Sequence, residues 1–354
     1  MLARSPYILT SVRPFKPHPL LRNSHVQTVL GAYWYGHNIP YNARQHLVLF
    51  DDGDQIVLHD DRPKGWKPGD RTVLLIHGLG GSHSSGYIVR IAHTLNSLGI
   101  RTFRVDLRGC GAGHNLAKRP FHAGCSDDIA HCVEAISALC MGSPLTLCGF
   151  SMGANIALKL AGEMGNGRIG GIDSVMAVAP PIDLAHCCTN MNRGFNRLYD
   201  WDFSRRLVSL VEGRLAQDEN FYDGFRFTEK PARLIEFDSV FTAPQCGFDS
   251  AEDYYAKASA AFVLPDVKVP GLILTADDDS VVPVQIFDKH PRSGSVELEI
   301  TRGGGHLGFI TSKSIVPDRR WMDHRVVQWI ASLDSRKTIS RKELSSADTC
   351  SSPV

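Results

Sequence analysis

The sequence predicts an α/β fold built on a mostly parallel sheet, and three observations carry that prediction. Apolar runs of strand length, such as Thr72-Val-Leu-Leu-Ile-His77, Leu145-Thr-Leu-Cys-Gly149 and Ser174-Val-Met-Ala-Val-Ala179, are continuous instead of alternating, as expected of strands covered on both faces. Segments with helical periodicity, including Ser85 to Leu98 and Asp127 to Leu139, lie between them, and this rhythm implies right-handed crossovers between parallel strands. One apolar run ends in Gly149-Phe-Ser-Met-Gly153 and passes at once into an Ala-rich helical pattern, which marks a sharp strand-to-helix corner.

The elements follow in order. Residues 1–45 are rich in Pro, His and aromatic side chains, with a short helical stretch over Leu20 to Leu30 and no catalytic spacing. Strands are predicted at His46 to Phe50 and Gln55 to His59, joined through Asp51-Asp-Gly-Asp54, whose Asp-Gly pair signals a hairpin at a sheet edge. Gly99 stops the helix that follows the Thr72 strand, and Ile100 to Val105 makes the next strand. Leu107-Arg-Gly-Cys-Gly-Ala-Gly113 is not a dinucleotide fingerprint, because polar, Pro-containing sequence follows where a helix is required. From Ile182 to about Leu264 the rhythm breaks: aromatic residues are dense and strand signals poor, so a mostly helical insertion over the strand tips is expected. Strands resume at Val269 to Thr275 and Ser295 to Thr301, a final helix is expected from about Pro317 to Leu333, and a disordered polar tail from Ser335. The resulting division is an N-terminal extension and edge hairpin (1–70), a first core part (71–181), a helical cap (182–264), a second core part (265–334) and the tail (335–354).

Composition narrows the function. Lys plus Arg, 38, nearly balances Asp plus Glu, 37, so no global field favours nucleic acid or an anionic membrane, and a neutral or weakly charged small molecule is the natural partner. The nine cysteines form no C-x-x-C pair and sit mostly in apolar patterns, which reads as buried reduced thiols and a cytoplasmic protein. The apolar run Pro6 to Leu9 is too short for a signal-peptide core. No window approaches the roughly 20 apolar residues of a membrane span, which leaves peripheral contact as the one membrane role open.

The chemistry converges on Ser151. Gly149 and Gly153 remove the Cβ atoms that would collide across such a corner, leaving the Ser151 hydroxyl at a strand tip above the positive end of a helix. A serine needs a base and a carboxylate to act as a nucleophile near neutral pH. His306 follows a strand through Gly303-Gly-Gly305, and Asp279 follows another, four residues before Pro283; Asp277 and Asp278 compete with it. An oxyanion hole is expected from the backbone N–H groups of Met152 and Leu79. His77 reads as a loop-shaping residue. The order Ser151, Asp279, His306, each after a separate strand, is that of the α/β-hydrolase fold.

Leu21-Arg-Asn-Ser-His-Val-Gln-Thr28, His77-Gly-Leu-Gly-Gly81, Arg108-Gly-Cys110, Gly149-Phe-Ser-Met-Gly-Ala-Asn155, Glu236-Phe-Asp238 and Gly304-Gly-His-Leu-Gly-Phe309 carry a further signal. Over nearly its whole length the chain resembles the YheT-like α/β hydrolases, related to mammalian abhydrolase-domain lipases and yeast medium-chain fatty acid ethyl ester synthase/esterases. The resemblance implies an esterase or lipase-like enzyme with Ser151, Asp279 and His306 as its triad, needing no metal or organic cofactor. Asp277-Asp-Asp-Ser280 departs from the paired Asp followed by Pro that the family often has. The resemblance also implies that Asn23 to Thr28 and Arg108 to Cys110 matter, without giving either a chemical role. Hydrolysis of short- to medium-chain acyl esters is the expected activity; an alcohol acyltransferase using the same acyl-enzyme and a noncatalytic binder on this fold are its rivals.

Overall fold

A computed structural model describes residues 12–33, 39–166 and 171–347, with side chains as far as Asp334. Helix α1 (Ser24–Tyr33) precedes the antiparallel pair β1 (Arg44–Leu49) and β2 (Gln55–Asp61). Gly53 turns the hairpin at φ +84°, a conformation that costs a glycine nothing. The alternating core follows as β3 (Thr72–Ile76), α2 (Gly86–Ser97), β4 (Arg101–Asp106), α3 (Ser126–Leu139), β5 (Leu145–Phe150), α4 (Met152–Gly165) and β6 (Ser174–Val178). The insertion comprises α5 (Leu184–Met191), α6 (Arg197–Leu215), α7 (Leu234–Phe237), a π-turn over Asp238–Thr242, α8 (Ala243–Cys246) and α9 (Ala251–Ala258). Then come β7 (Gly271–Ala276), α10 (Ile286–Lys289), β8 (Val296–Thr301) and α11 (Trp321–Ala347).

The sheet order is β1-β2-β4-β3-β5-β6-β7-β8. β2 pairs antiparallel with β1 and β4, and every other pairing is parallel. β3 to β7 are buried along their whole lengths, and the period of two sorts their side chains between two cores. Val73, Leu75, Cys148, Phe150, Met176 and Leu274 face one core with α2 and α11, where Ile91, Leu95, Val326 and Ile330 meet them. Leu74, Ile76, Leu147, Val175 and Ile273 face the other, against Ile129 and Val133 of α3 and Ile156 and Leu160 of α4. Both faces are thus covered by helices, which is why the strands read as unbroken apolar runs.

The insertion holds no strand among the described residues. Its aromatic side chains pack largely on one another: the rings of Tyr222, Phe225, Phe227 and Phe237 all lie within 6.1 Å of Phe241. The last helix corrects the expectation of a disordered tail from Ser335, since its backbone stays helical to Ala347. Lys337, Arg341, Lys342, Glu343 and Leu344 are good helix formers and no Gly or Pro interrupts them. Eight cysteines are buried and unbridged, and Cys350 lies outside the described residues; burial pushes the Cys110 thiol up to about 12, which keeps it unreactive. No helix among the described residues is long and apolar enough to cross a membrane.

Candidate active site

Ser151 stands alone between β5 and α4 at φ +52°, ψ −121°, strained backbone for a residue with a Cβ. Its N–H donates to the Val178 carbonyl at 2.8 Å, which ties the corner to β6. The flanking glycines are required by contact. A Cβ on Gly149 would lie 2.2 Å from the Gly153 carbonyl oxygen, and one on Gly153 would lie 2.4 Å from the carbonyl oxygens of both Ile76 and His77. Gly153 therefore lets the first turn of α4 sit on the end of β3.

The His306 Nε2 atom lies 2.9 Å from Ser151 Oγ, and its Nδ1 lies 2.9 Å from Asp279 Oδ2. With Nδ1–H donating to the carboxylate, the Nε2 lone pair is left as hydrogen-bond acceptor for the Ser151 hydroxyl. His306 and Asp279 are both buried, so little water competes for these bonds. The other carboxylate oxygen, Asp279 Oδ1, accepts the N–H groups of Val281 and Val282, each at 2.9 Å. The neighbouring aspartates face elsewhere: Asp277 accepts Gly303 N–H at 2.7 Å and Asp278 accepts Gly305 N–H at 2.8 Å. Both thus hold the glycine loop that delivers His306.

Leu79 and Met152 line one cavity beside this corner. Met152 opens α4, so its N–H has no acceptor within the helix; among the described residues neither amide has a partner. The turn carrying Leu79 is held against the serine, since a Cβ on Gly78 would lie 3.2 Å from Ser151 Cβ and Gly78 N–H donates to Tyr87 Oη at 3.0 Å. His77 is wholly buried, donates Nδ1–H to the Gly78 carbonyl at 2.8 Å and accepts Leu107 N–H on Nε2 at 3.3 Å. Burial lowers its pKa. Both ring nitrogens are occupied, so it shapes the loop and is no base.

Sequence reasoning left α1 without a role, and the structure supplies one. Thr28 Oγ1 accepts the backbone N–H of His306 at 2.9 Å while donating to the Ser24 carbonyl at 2.8 Å. Gln27, with no exposure, donates to the Ile310 carbonyl at 3.0 Å and accepts Ile310 N–H at 2.6 Å. Gly308 allows this approach, because a Cβ there would lie 2.4 Å from the Gln27 carbonyl oxygen. Helix α1 therefore clamps the loop on both sides of His306. A polar Gln and Thr on the inner face of a short helix were the available signal.

Arg108 is structural: it holds Asp128 through two bonds of 2.9 Å and also reaches Asp54 at 2.6 Å. One cluster among the described residues has metal-ligating composition, His59, His83 and Asp106, with donor atoms within 4.8 Å of one another. Its donors are already engaged. Asp106 Oδ2 accepts from His59 at 2.9 Å, from His83 at 2.8 Å and from Ala112 N–H at 2.8 Å. Burial opposes ionisation of Asp106, yet the bonds from both histidines hold its carboxyl below the usual range. The cluster fastens β2 to β4 and to the loop after β3.

Between the Ser151 corner and the insertion lies a cavity of about 50 Å³, lined by Leu79 and Met152 at the corner and by Leu207, Arg214, Tyr222 and Phe241 from the insertion, among others. It has room for a few waters, well below the roughly 300–1,000 Å³ of sites that enclose a drug-sized ligand.

The sequence model described as the alpha/beta hydrolase family matches residues 73–316. YheT of Escherichia coli is 27% identical over 91% of this chain and 94% of its own length. Phospholipase ABHD3 of Mus musculus is 28% identical over 77% of this chain and 67% of its own length, and the monoacylglycerol lipase of Saccharomyces cerevisiae is 26% identical over 79% and 62%. Among solved structures, the esterase Pf2001 of Pyrococcus furiosus superposes with a TM-score of 0.53 at 16% identity, covering 84% of this chain and 96% of that one, which speaks to the fold. With the sheet order, the serine corner and a match across more than half its length, the chain belongs to the alpha/beta hydrolase family.

Proposed function

We propose that the protein is a serine carboxylic ester hydrolase acting on short- to medium-chain acyl esters. The observation that carries the reading is the unbroken relay of 2.9 Å from Ser151 Oγ to His306 and of 2.9 Å from His306 to Asp279. Ser151 Oγ attacks the ester carbonyl as His306 Nε2 takes its proton, and Asp279 stabilises the imidazolium. The oxyanion is held by the N–H groups of Leu79 and Met152. His306 then protonates the departing alcohol, and water, activated by the same imidazole, releases the acid from the acyl-enzyme. No step calls on a metal or an organic cofactor. The names of the yeast and mouse relatives, a lipase and a phospholipase, support ester chemistry on acyl substrates.

Residues 182–264 act in this reading as a cap. The small cavity beneath it holds no medium acyl chain as it stands, so catalysis on such a chain requires the cap helices to shift. The test is hydrolysis of p-nitrophenyl esters from acetate to decanoate by wild type and by Ser151→Ala purified in parallel. Loss of at least about 10⁴-fold in kcat is expected for the variant, with an optimum between butanoate and octanoate for the wild type. Equal activity in the two proteins sinks the nucleophile assignment, and a rate falling steadily from acetate sinks the chain length.

A further inference from the structure

The insertion places a buried cation in the cavity and gives it nothing to neutralise it. Arg214, on α6, is 4% exposed. Its Nη1 donates to Tyr222 Oη at 2.5 Å, its Nε has no hydrogen-bond partner, and among the described residues no carboxylate lies within ion-pair distance of it. The contrast within the molecule is sharp. Arg71, Arg101, Arg104 and Arg108 are equally buried, and each holds an aspartate at 2.6–2.9 Å: Asp173, Asp60, Asp61 and Asp128 respectively.

A guanidinium does not shed its proton, and a buried charge is ordinarily paired. The cavity does contain a carboxylate, Asp238, but that group accepts from Tyr255 Oη at 2.7 Å and forms no ion pair with Arg214. The seat of Arg214 is built with care. Its guanidinium carbon lies 5.2 Å from the ring centre of Phe221 and 5.9 Å from that of Tyr222. A Cβ on Gly109, at φ +67°, would lie 1.2 Å from its Nη2. The glycine of Arg108-Gly-Cys110 thereby acquires a purpose: it makes room for the guanidinium.

We propose that Arg214 is an anion-recognition residue, and that the preferred substrate is an ester bearing a carboxylate or phosphate group on its acyl or its alcohol portion. The placement rests on the esterase reading for one end of the cavity, where the N–H groups of Leu79 and Met152 receive the reacting carbonyl; Arg214 lines the same cavity, and its Nε–H, unpaired and sealed from water as the chain stands, would take the anionic oxygens once the cap helices shift. A neutral ester leaves the buried charge uncompensated, whereas an anionic one adds a charge-assisted hydrogen bond.

The experiment compares matched pairs on the full chain. One pair is p-nitrophenyl hydrogen adipate and p-nitrophenyl hexanoate, which puts the charge on the acyl side. The other is butanoyl glycerol 3-phosphate and monobutanoyl glycerol, which puts it on the alcohol side. The wild type is expected to favour the anionic member of one pair by about tenfold or more in kcat/KM, and Arg214→Gln to abolish that preference. Where Arg214→Gln fails to fold, Arg214→Met, unbranched and apolar, takes its place; relief of the unpaired charge is expected to raise its melting temperature above the wild type's. Calorimetric titration of adipate and of glycerol 3-phosphate into Ser151→Ala, with and without the Arg214 substitution, separates the two ideas. Binding that needs Arg214, with no ester turned over by the wild type, upholds the anion site and fails the esterase reading. Turnover of both neutral esters at least as fast as their anionic partners overturns the anion site and leaves the esterase reading standing.

Discussion

The core around Ser151 and the insertion above it are built on opposite principles. At the core, position is fixed by backbone contact: glycines at 149, 153 and 308 sit where a single Cβ would meet a carbonyl oxygen at 2.4 Å or less, and the reacting side chains have their hydrogen bonds made. In the insertion, position is set by side chains, chiefly rings gathered around Phe241, and three buried charged groups, Asp200, Arg214 and Asp238, lack an opposite charge in ion-pair contact among the described residues. Rigid contact preserves a reaction geometry; rings and unneutralised charges leave room to select and to move. The difference teaches that chemistry and choice of substrate are separable here, and substitutions divide along that line.

The largest effect is expected in the core. Gly153→Ala drives a methyl group to 2.4 Å from two carbonyl oxygens of the β3 end, so it should cost about 3 kcal/mol or more in stability by chemical denaturation and remove esterase activity with it. A fully active, stable variant would break the account of the corner.

Asp238 tests the insertion. Burial lifts its carboxyl to about 6, despite hydrogen bonds from Thr242 and Tyr255 that work the other way. In the unfolded chain this group titrates near 4, so between about pH 4 and 6 the unfolded state has lost a proton that the folded state keeps. Stability is therefore lost as pH rises through that window, and the loss is complete above it, on the order of 3 kcal/mol. Asp238→Asn should match the wild type at pH 4 and exceed it by that amount at pH 7; parallel stability curves would refute the buried, charge-poor description.

Thr28→Val keeps the shape of α1 but takes the acceptor from His306 N–H. A fall of about tenfold in kcat with KM within about twofold is expected, because the imidazole is positioned by the clamp while the cavity is untouched. An unchanged kcat would reduce α1 to scaffolding. The smallest effect belongs to Leu210, a partly buried lining residue of the cavity. Leu210→Ala should move the acyl-length optimum toward longer chains and alter the rate on p-nitrophenyl acetate by no more than about twofold; an optimum that stays put would deny that face of the insertion contact with substrate.

Legibility in the sequence followed the same division. β3 to β7 were readable because burial on both faces leaves an unbroken apolar run, and Ser151 because its corner demands glycines whose spacing is visible. Of the three adjacent aspartates the offset to Pro283 pointed to Asp279, but all sit after β7, and only the fold displays Asp279 on His306 and the other two on loop amides. The α1 segment stood out in the sequence but its partners were hidden for a different reason, since Thr28 and Gln27 meet residues 278 and 283 positions away. Arg214 looks like Arg205 and Arg206 on the same helix, and only burial sets it apart: its side chain is enclosed, while theirs are 55% and 43% exposed.

The distance between Thr28 and His306 along the chain also orders events in time. At roughly 5–20 residues per second, the 278 positions that separate them take a ribosome about 15–55 s to add. Throughout that interval the clamp has nothing to hold, and over its last 155 positions the serine corner stands without the histidine. A chain that ends before His306 therefore carries Ser151 without the imidazole, and one that has lost α1 carries the imidazole without its clamp.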